Sequence, residues 1–243
     1  MRINKWLASM GVASRRAIDD LIQDGKVMVN GTPAELGMQI DPKNDEVTVD
    51  GEAVNTQDKP ELEYWKLYKP VGVVSTVSDP EGRKTVLDLL KGSKEAQRLF
   101  PVGRLDIDSE GLLLMTNDGK LTQKLTHPKY EVPKEYLVWI NGPITGTALR
   151  RLSSGVKLSD GKTAPATIKV IFREPNRSKL SMIISEGRTH QIRRMVAKVG
   201  ATVVRLKRTK LGTLELGEME PGEVKQLTLE EVEGLKQLAE SSA

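Results

Sequence analysis

The sequence predicts an α+β protein: a larger domain with a mixed, largely antiparallel sheet, and a small N-terminal α+β unit. Three observations carry that expectation. From residue 61 onward the chain is rich in strand signals, and strands and helices do not alternate strictly as a doubly wound parallel fold requires. The polar stretch Asn55-Thr56-Gln57-Asp58-Lys59-Pro60 ends in proline and reads as a linker, which divides the chain into domains 1–60 and 61–243. The 243 residues, 38% hydrophobic and 29% charged, suffice for one medium domain and a small one.

In the first domain, Ser14 is placed to cap a second short helix whose apolar face is Ala17, Ile18, Leu21 and Ile22, and Gly25 stops it. Residues 27–29 form a short strand, followed by the hairpin signal Asn30-Gly31. Residues 47–49 and 52–54 flank a second turn, Asp50-Gly51. A unit this short buries little and suits an accessory role.

In the second domain, strands are expected at 64–68 and 71–75, broken at Lys69-Pro70, and at 112–116, which runs into the turn signal Asn117-Asp118-Gly119. Further strands fit 135–140, 166–172, 179–185 and 202–206. Helices fit 85–90, 145–152 and 189–199, and a last one starts at the capping box Thr228-Leu229-Glu230-Glu231.

Charge is unevenly placed. The net charge is +4, yet residues 181–210 carry eight Lys/Arg against Glu186, a net of +7, while 211–243 carry a net of -6. A basic segment beside an acidic tail is a footprint for a polyanion, although a solvated basic surface accounts for it equally well. The sequence has no Cys, which excludes disulfides and thiolate metal sites, and only two His, His127 and His190. No apolar run approaches the length that spans a bilayer, so no membrane association is expected. The opening MRINKWLASMG lacks an apolar h-region, so no secretory signal is expected.

Three stretches can carry chemistry. Gly103-Arg104-Leu105-Asp106-Ile107-Asp108-Ser109-Glu110-Gly111 sets three carboxylates and an arginine ahead of the apolar run Leu112-Leu113-Leu114-Met115. A polar loop feeding a buried strand holds a carboxylate rigidly; the carboxylates can bind Mg²⁺, act as an acid/base pair or supply a nucleophile, and an ordinary acidic turn reads as well. In Ser185-Glu186-Gly187-Arg188-Thr189-His190-Gln191-Ile192-Arg193-Arg194-Met195, Gly187 suits a sharp turn before a helix whose first turn carries Arg188 and Arg193, an arrangement fit for phosphate. Arg193 and Arg194 cannot face the same side of that helix. His190 has no ligand set around it and reads as a hydrogen-bonding residue rather than a metal ligand. In Lys134-Glu135-Tyr136, Tyr136 faces one side of a strand, where a lone tyrosine is ordinarily a half-buried core residue.

Together these stretches resemble the ribosomal pseudouridine synthases, in the branch of small-subunit synthase A and large-subunit synthases B, E and F. The resemblance rests on Gly103-Arg104-Leu105-Asp106 with Ser109-Glu110-Gly111-Leu112-Leu113-Leu114, on Lys69-Pro70-Val71-Gly72, on Lys134-Glu135-Tyr136, and on Glu186 through Met195, in the family's order. The N-terminal stretch from Arg2-Ile3-Asn4-Lys5-Trp6-Leu7 through Ser14-Arg15-Arg16 to Val29-Asn30-Gly31 resembles the alpha-L RNA-binding module.

The resemblance implies a pseudouridine synthase fold and isomerisation of uridine to pseudouridine in ribosomal RNA, with the large-subunit RNA expected and the small-subunit RNA the alternative. It implies that Asp106 is the catalytic carboxylate, that Tyr136 packs against the flipped-out base, and that Arg193 pairs with Asp106. It implies that Arg104 enters the RNA helix, and that Arg188, His190 and Gln191 shape the cleft wall. Arg2, Lys5, Arg15 and Arg16 form the basic set of the module, whose net charge over 1–60 is -3, so that its RNA affinity must come from one face. No cofactor and no metal are expected, since the reaction is neither redox nor net hydrolysis. The expected partner is ribosomal RNA or a pre-ribosomal particle, and the expected state a cytoplasmic monomer. Two readings compete: a non-catalytic rRNA-binding assembly factor, which has no need of Asp106, and a Mg²⁺-dependent nuclease built on Asp106, Asp108 and Glu110.

Overall fold

The computed structural model describes residues 1–55, 57, 59–90, 98–142 and 144–241. Two residues of the expected linker, Thr56 and Asp58, lie outside that set. The chain forms two compact units, Met1–Leu62 and Glu63–Ala243.

In the first unit, helices α1 (Ile3–Ser9) and α2 (Arg15–Gln23) precede strands β1 (Val27–Val29), β2 (Thr32–Pro33), β3 (Val47–Val49) and β4 (Glu52–Ala53). The Ser14 hydroxyl accepts a hydrogen bond from the Ala17 N–H, the cap expected there. Ile18 and Ile22 pack with Ile3, Trp6, Leu7, Val27 and Val47 in one core. The strands pair in the order β2-β1-β3-β4, all antiparallel. Both connecting turns put two successive residues at positive φ, Asn30 (51°) with Gly31 (76°) and Asp50 (50°) with Gly51 (82°), as tight hairpins demand.

The second unit is a nine-stranded sheet with helices against it. In chain order its elements are β5 (Tyr64–Lys69), β6 (Phe100–Pro101), β7 (Glu110–Thr116), α3 (Gly119–Thr126), β8 (Lys134–Asn141), α4 (Gly146–Ser153), the small hairpin β9 (Lys157–Leu158) and β10 (Gly161–Lys162), β11 (Thr167–Arg173), β12 (Arg177–Ile184), α5 (Gln191–Ala197), β13 (Thr202–Leu211), β14 (Leu214–Glu215), β15 (Val224–Gln226) and α6 (Leu229–Ser241). The main path runs β11-β12-β8-β13-β7-β5-β15. The β13–β7 pair is parallel and the other pairings are antiparallel, so the mixed, largely antiparallel sheet expected from the sequence is what forms.

Strand β7 is buried along its whole length, which its unbroken apolar run requires. Leu112 and Leu114 enter the core under α3 and α6, whereas Leu113 and Met115 enter a second core with Leu67, Val73 and Val86 on the other face. Each such buried side chain contributes about 1.5–3 kcal/mol of apolar burial. The capping box forms as expected: the Thr228 N–H donates to Glu231 and the Glu231 N–H donates to the Thr228 hydroxyl.

Four local expectations are corrected. Residues 71–75 form no strand, because Pro70 lacks an N–H and Gly72 turns the chain at φ 85°; Val74 makes only an isolated bridge to Thr85. The helix expected at 85–90 reduces to a 3₁₀ turn, Leu87–Leu89, since the Thr85 N–H goes to the Asp88 carboxylate and the Val86 N–H to Val74 O. At Asn117-Asp118-Gly119 a helix starts: Asp118 accepts from the N–H groups of Lys120 and Leu121 and caps α3. Arg188 precedes α5 instead of lying in its first turn, and the left-handed residue before that helix is His190 (φ 50°) rather than Gly187.

Candidate active site

The stretch from Gly103 to Ser109 forms a loop between β6 and β7, and a second loop holds it from below. The Gly72 N–H donates to Ile107 O at 2.8 Å. The Ser75 hydroxyl donates to Leu105 O and accepts from Leu105 N–H. The Ser109 N–H closes back on Asp106 O at 3.0 Å. Beneath them Lys69 is fully buried, and its Nζ donates to Ser109 O at 2.7 Å and Pro70 O at 3.0 Å. Burial pushes the Lys69 ammonium down to about 8, against the pull of Asp108, Asp106 and Glu110. The Lys69-Pro70-Val71-Gly72 motif is therefore the clamp under the aspartate loop.

Gly111 sets the other end of that loop. It lies at φ 106° beside Arg208 in the parallel pair, and a Cβ there would stand 2.2 Å from Arg208 O. Only glycine lets β7 and β13 approach so closely.

Asp106 opens into a cavity of about 170 Å³ that Arg104, Tyr136, Arg188, His190 and Gln191 also line. Every catalytic or wall residue expected in the second domain, save Arg193, is thus brought to one cavity. Tyr136 is buried and belongs to the core of β8, β12 and β13. Arg104 is exposed. His190 Nε2 stands 3.5 Å from Asp106 Oδ1. Its left-handed backbone is uncommon for a residue with a Cβ, and such strain gathers at functional sites.

Arg188 is committed within the protein. Its guanidinium bonds Glu186 and the main-chain oxygens of Asp160, Gly161 and Lys162, tying the β9–β10 hairpin to the wall. Gln191 accepts from the Arg188 N–H and donates to Glu186.

The expected pairing of Arg193 with Asp106 is corrected. Arg193 Nη2 meets the Asp108 carboxylate at 3.0 Å and Asp108 O at 3.0 Å, and Nη1 donates to Val203 O at 3.2 Å. The loop turns tightly over residues 106–109, with the Ser109 N–H closing on Asp106 O, and it is the carboxylate two positions on that Arg193 reaches. Arg194 points the other way, onto Asp160. Glu110 is engaged by Arg205 and the Tyr68 hydroxyl; burial pushes its carboxyl up, but these bonds outweigh it and hold it below the usual range. The three carboxylates therefore have three separate partners. Among the described residues no three His, Cys, Asp or Glu side chains converge as metal ligands.

Two cavity residues were given no role in the sequence reading. Arg208 is buried on the cavity floor across the strand pair from Tyr136; its Nε donates to Leu112 O and its Nη2 has no partner. Lys134 lies two residues before Tyr136 on the same side of β8, with burial and Arg208 pushing it down to about 8. Their signal was there, a lysine and an arginine on the inward phase of two strands, but only the β8–β13 register, with Arg208 opposite Tyr136 and Leu211 opposite Lys134, brings both to one cavity.

In the first unit, Arg2, Lys5, Arg15 and Arg16 are all exposed on or beside α1 and α2. No helix among the described residues is long and apolar enough to cross a membrane.

Comparison with known proteins places the chain in a family. Residues 63–198 match the family described as RNA pseudouridylate synthase, and residues 1–47 match the S4 domain. The chain is 42% identical to ribosomal large subunit pseudouridine synthase B of Bacillus subtilis, over 98% of this chain and 97% of that one. It is 41% identical to an RNA pseudouridine synthase of Aquifex aeolicus, over 93% and 90% of the two chains. A solved pseudouridylate synthase structure superposes with a TM-score of 0.71 at 32% identity, covering 97% of this chain and 99% of that one. The chain belongs to the RNA pseudouridylate synthase family and carries an S4 domain at its N-terminal end.

Proposed function

We propose that this chain isomerises a specific uridine of large-subunit ribosomal RNA to pseudouridine, with Asp106 as the catalytic group. One observation carries the reading: an aspartate on a clamped loop, a buried tyrosine ring and cationic walls share a single cavity. The large-subunit target is supported by the 42% identity to a relative of that name.

In this isomerisation the N1–C1′ bond breaks, the freed uracil turns, and C5 joins C1′. The proton that leaves C5 is matched by one gained at N1. No electrons are exchanged and no water is consumed. A carboxylate serves by attacking C1′, by attacking C6 or by removing the 2′ proton of the ribose. Each route needs Asp106 ionised, close to the sugar and screened from water.

The base must leave its stack to reach the cavity, which costs a few kcal/mol. Arg104, exposed at the head of the loop, takes the space the base vacates. Tyr136 gives the flipped uracil a flat surface while it turns. His190 orients the Asp106 carboxylate, and Arg193 braces the loop through Asp108. Arg2, Lys5, Arg15 and Arg16 hold the RNA backbone by charge, so binding weakens as salt rises. The reading takes the chain to act as a monomer, and the rRNA substrate supports a cytoplasmic location.

The test compares wild type with Asp106→Asn on large-subunit rRNA and maps pseudouridines in cells with and without the gene. We expect one large-subunit uridine to depend on the gene, and Asp106→Asn to bind RNA without turnover. Near-wild-type turnover by the variant overturns the role of Asp106, and a dependent site in small-subunit RNA overturns the target.

A further inference from the structure

Part of one face of the large sheet is left exposed. On β8, β12 and β13, Tyr136, Val138, Leu180, Met182 and Leu206 point into the core shared with α4 and α5. The residues between them point the other way. Strand register sets Phe172, Lys179, Trp139 and Arg205 in one cross-strand row, and Lys169, Ser181, Leu137 and Lys207 in the next. Side chains directly opposite across paired strands share a face. None of these eight belongs to a hydrophobic core, and each is at least partly exposed.

Four of the eight are cations, and rings hold three of them. Lys179 Nζ stands 4.5 Å from the Trp139 ring centre, and the Arg205 guanidinium stands 4.6 Å from it. Lys207 Nζ stands 4.5 Å from the ring of Tyr68. A cation over a ring is fixed in place without being neutralised. Among the described residues Lys169, Lys179 and Lys207 have no carboxylate within ion-pair distance, whereas Arg205 is taken by Glu110. The other acid nearby, Glu135, accepts from the Ser181 hydroxyl. Phe172 adds an exposed ring at the end of its row.

We infer that this open face is a second RNA contact, on the side of the sheet away from the cavity, where Lys169, Lys179 and Lys207 take backbone phosphates of an RNA segment that runs past the target site. The occupant follows from charge complementarity: Lys169, Lys179 and Lys207 make no ion pair, Glu110 opposite Lys207 being taken by Arg205, and three such lysines on an exposed stretch of sheet suit a polyanion, while Phe172 suits an unpaired base. The inference rests on the reading of the substrate as ribosomal RNA.

The test uses the full chain with Lys169→Gln, Lys179→Gln and Lys207→Gln combined, at a melting temperature matched to wild type. Arg205 is kept, because its loss would strand the buried Glu110. Two RNAs are compared: a long large-subunit fragment and a short stem-loop that carries only the target uridine. On the long fragment we expect about tenfold weaker binding and a log Kd against log salt slope reduced by roughly 2 to 3. Turnover at saturating RNA and affinity for the stem-loop should match wild type. Unchanged affinity and slope on the long fragment overturn the inference, as does an equal loss on the stem-loop, which would put these cations at the cleft. Lys169→Glu alone, on the edge strand, must weaken long-fragment binding in the same direction. If wild type makes no pseudouridine while the slope difference persists, the proposed reaction fails and the second contact stands.

Discussion

Arg193 Nη2 lies 3.0 Å from the Asp108 carboxylate, so the arginine of α5 grips the aspartate loop two residues beyond Asp106. The same nitrogen also takes Asp108 O, and its neighbour takes Val203 O, so one guanidinium fastens the loop to both α5 and β13. A bidentate, planar group is suited to that task in a way an ammonium is not. Arg193→Met should lower kcat about 100-fold through misplacement of Asp106, with RNA affinity nearly unchanged. Asp108→Asn keeps the main-chain contact and should cost less. Single-turnover kinetics and RNA titration check both; a larger loss for Asp108→Asn than for Arg193→Met contradicts the brace.

Tyr136 is judged by its ring. Among the described residues no hydrogen bond engages its hydroxyl, and the ring is packed in the core at the cavity floor. Tyr136→Phe should therefore keep turnover within about tenfold of wild type, while Tyr136→Ala should lose most activity and about 3–5 kcal/mol of stability. An inert Tyr136→Phe enzyme with normal RNA binding would show that the hydroxyl takes part.

Gly111→Ala should destabilise the protein by about 2–4 kcal/mol, because the new methyl meets Arg208 O in a backbone conformation L residues rarely adopt. The two strands must part, and the aspartate loop moves with β7. Urea unfolding of the variant gives the number, and a loss below about 0.5 kcal/mol would show that the strands yield freely.

Lys69 and Lys134 give the protein an unusual alkaline response. Burial holds each near about 8 in the folded chain against 10.5 when free, so the folded state sheds these protons first. Between about pH 8 and 10 the unfolded chain binds more protons than the folded one, and these two groups make stability rise with pH. Tyr68 acts oppositely: burial, with Glu110 close by, pushes it up to about 12, so above pH 10 its contribution falls. Lys69→Met should flatten the rise between pH 8 and 10 in denaturation curves collected at each pH. A wild-type curve that falls steadily from pH 8 would contradict the buried ammonium.

The aspartate loop shows where the sequence was legible. Its apolar sequel, Leu112 to Met115, could only be a strand buried on both faces, and such a strand fixes the end of the loop before it. Ser14, Thr228 and the two glycine turns were equally plain, since caps and turns are decided within a few residues of chain. Residues 71–75 misled because their composition suits a strand, but the Gly72 N–H serves Ile107 O of the aspartate loop, the Val74 N–H goes to Lys84 O, and Val74 O accepts from the Val86 N–H.

The sequence by itself determined the two-part organisation and the α+β class, and its resemblance to the pseudouridine synthases pointed to most of the residues that share the cavity. Tertiary structure decided the pairings: Arg193 with Asp108, His190 with Asp106, Lys69 beneath Ser109, Arg208 across from Tyr136. Local signals act over three or four residues, through cap bonds, dihedral preference and periodicity. Which carboxylate meets which cation depends on strand register and on how a loop turns between distant elements, and no short stretch of sequence carries that information.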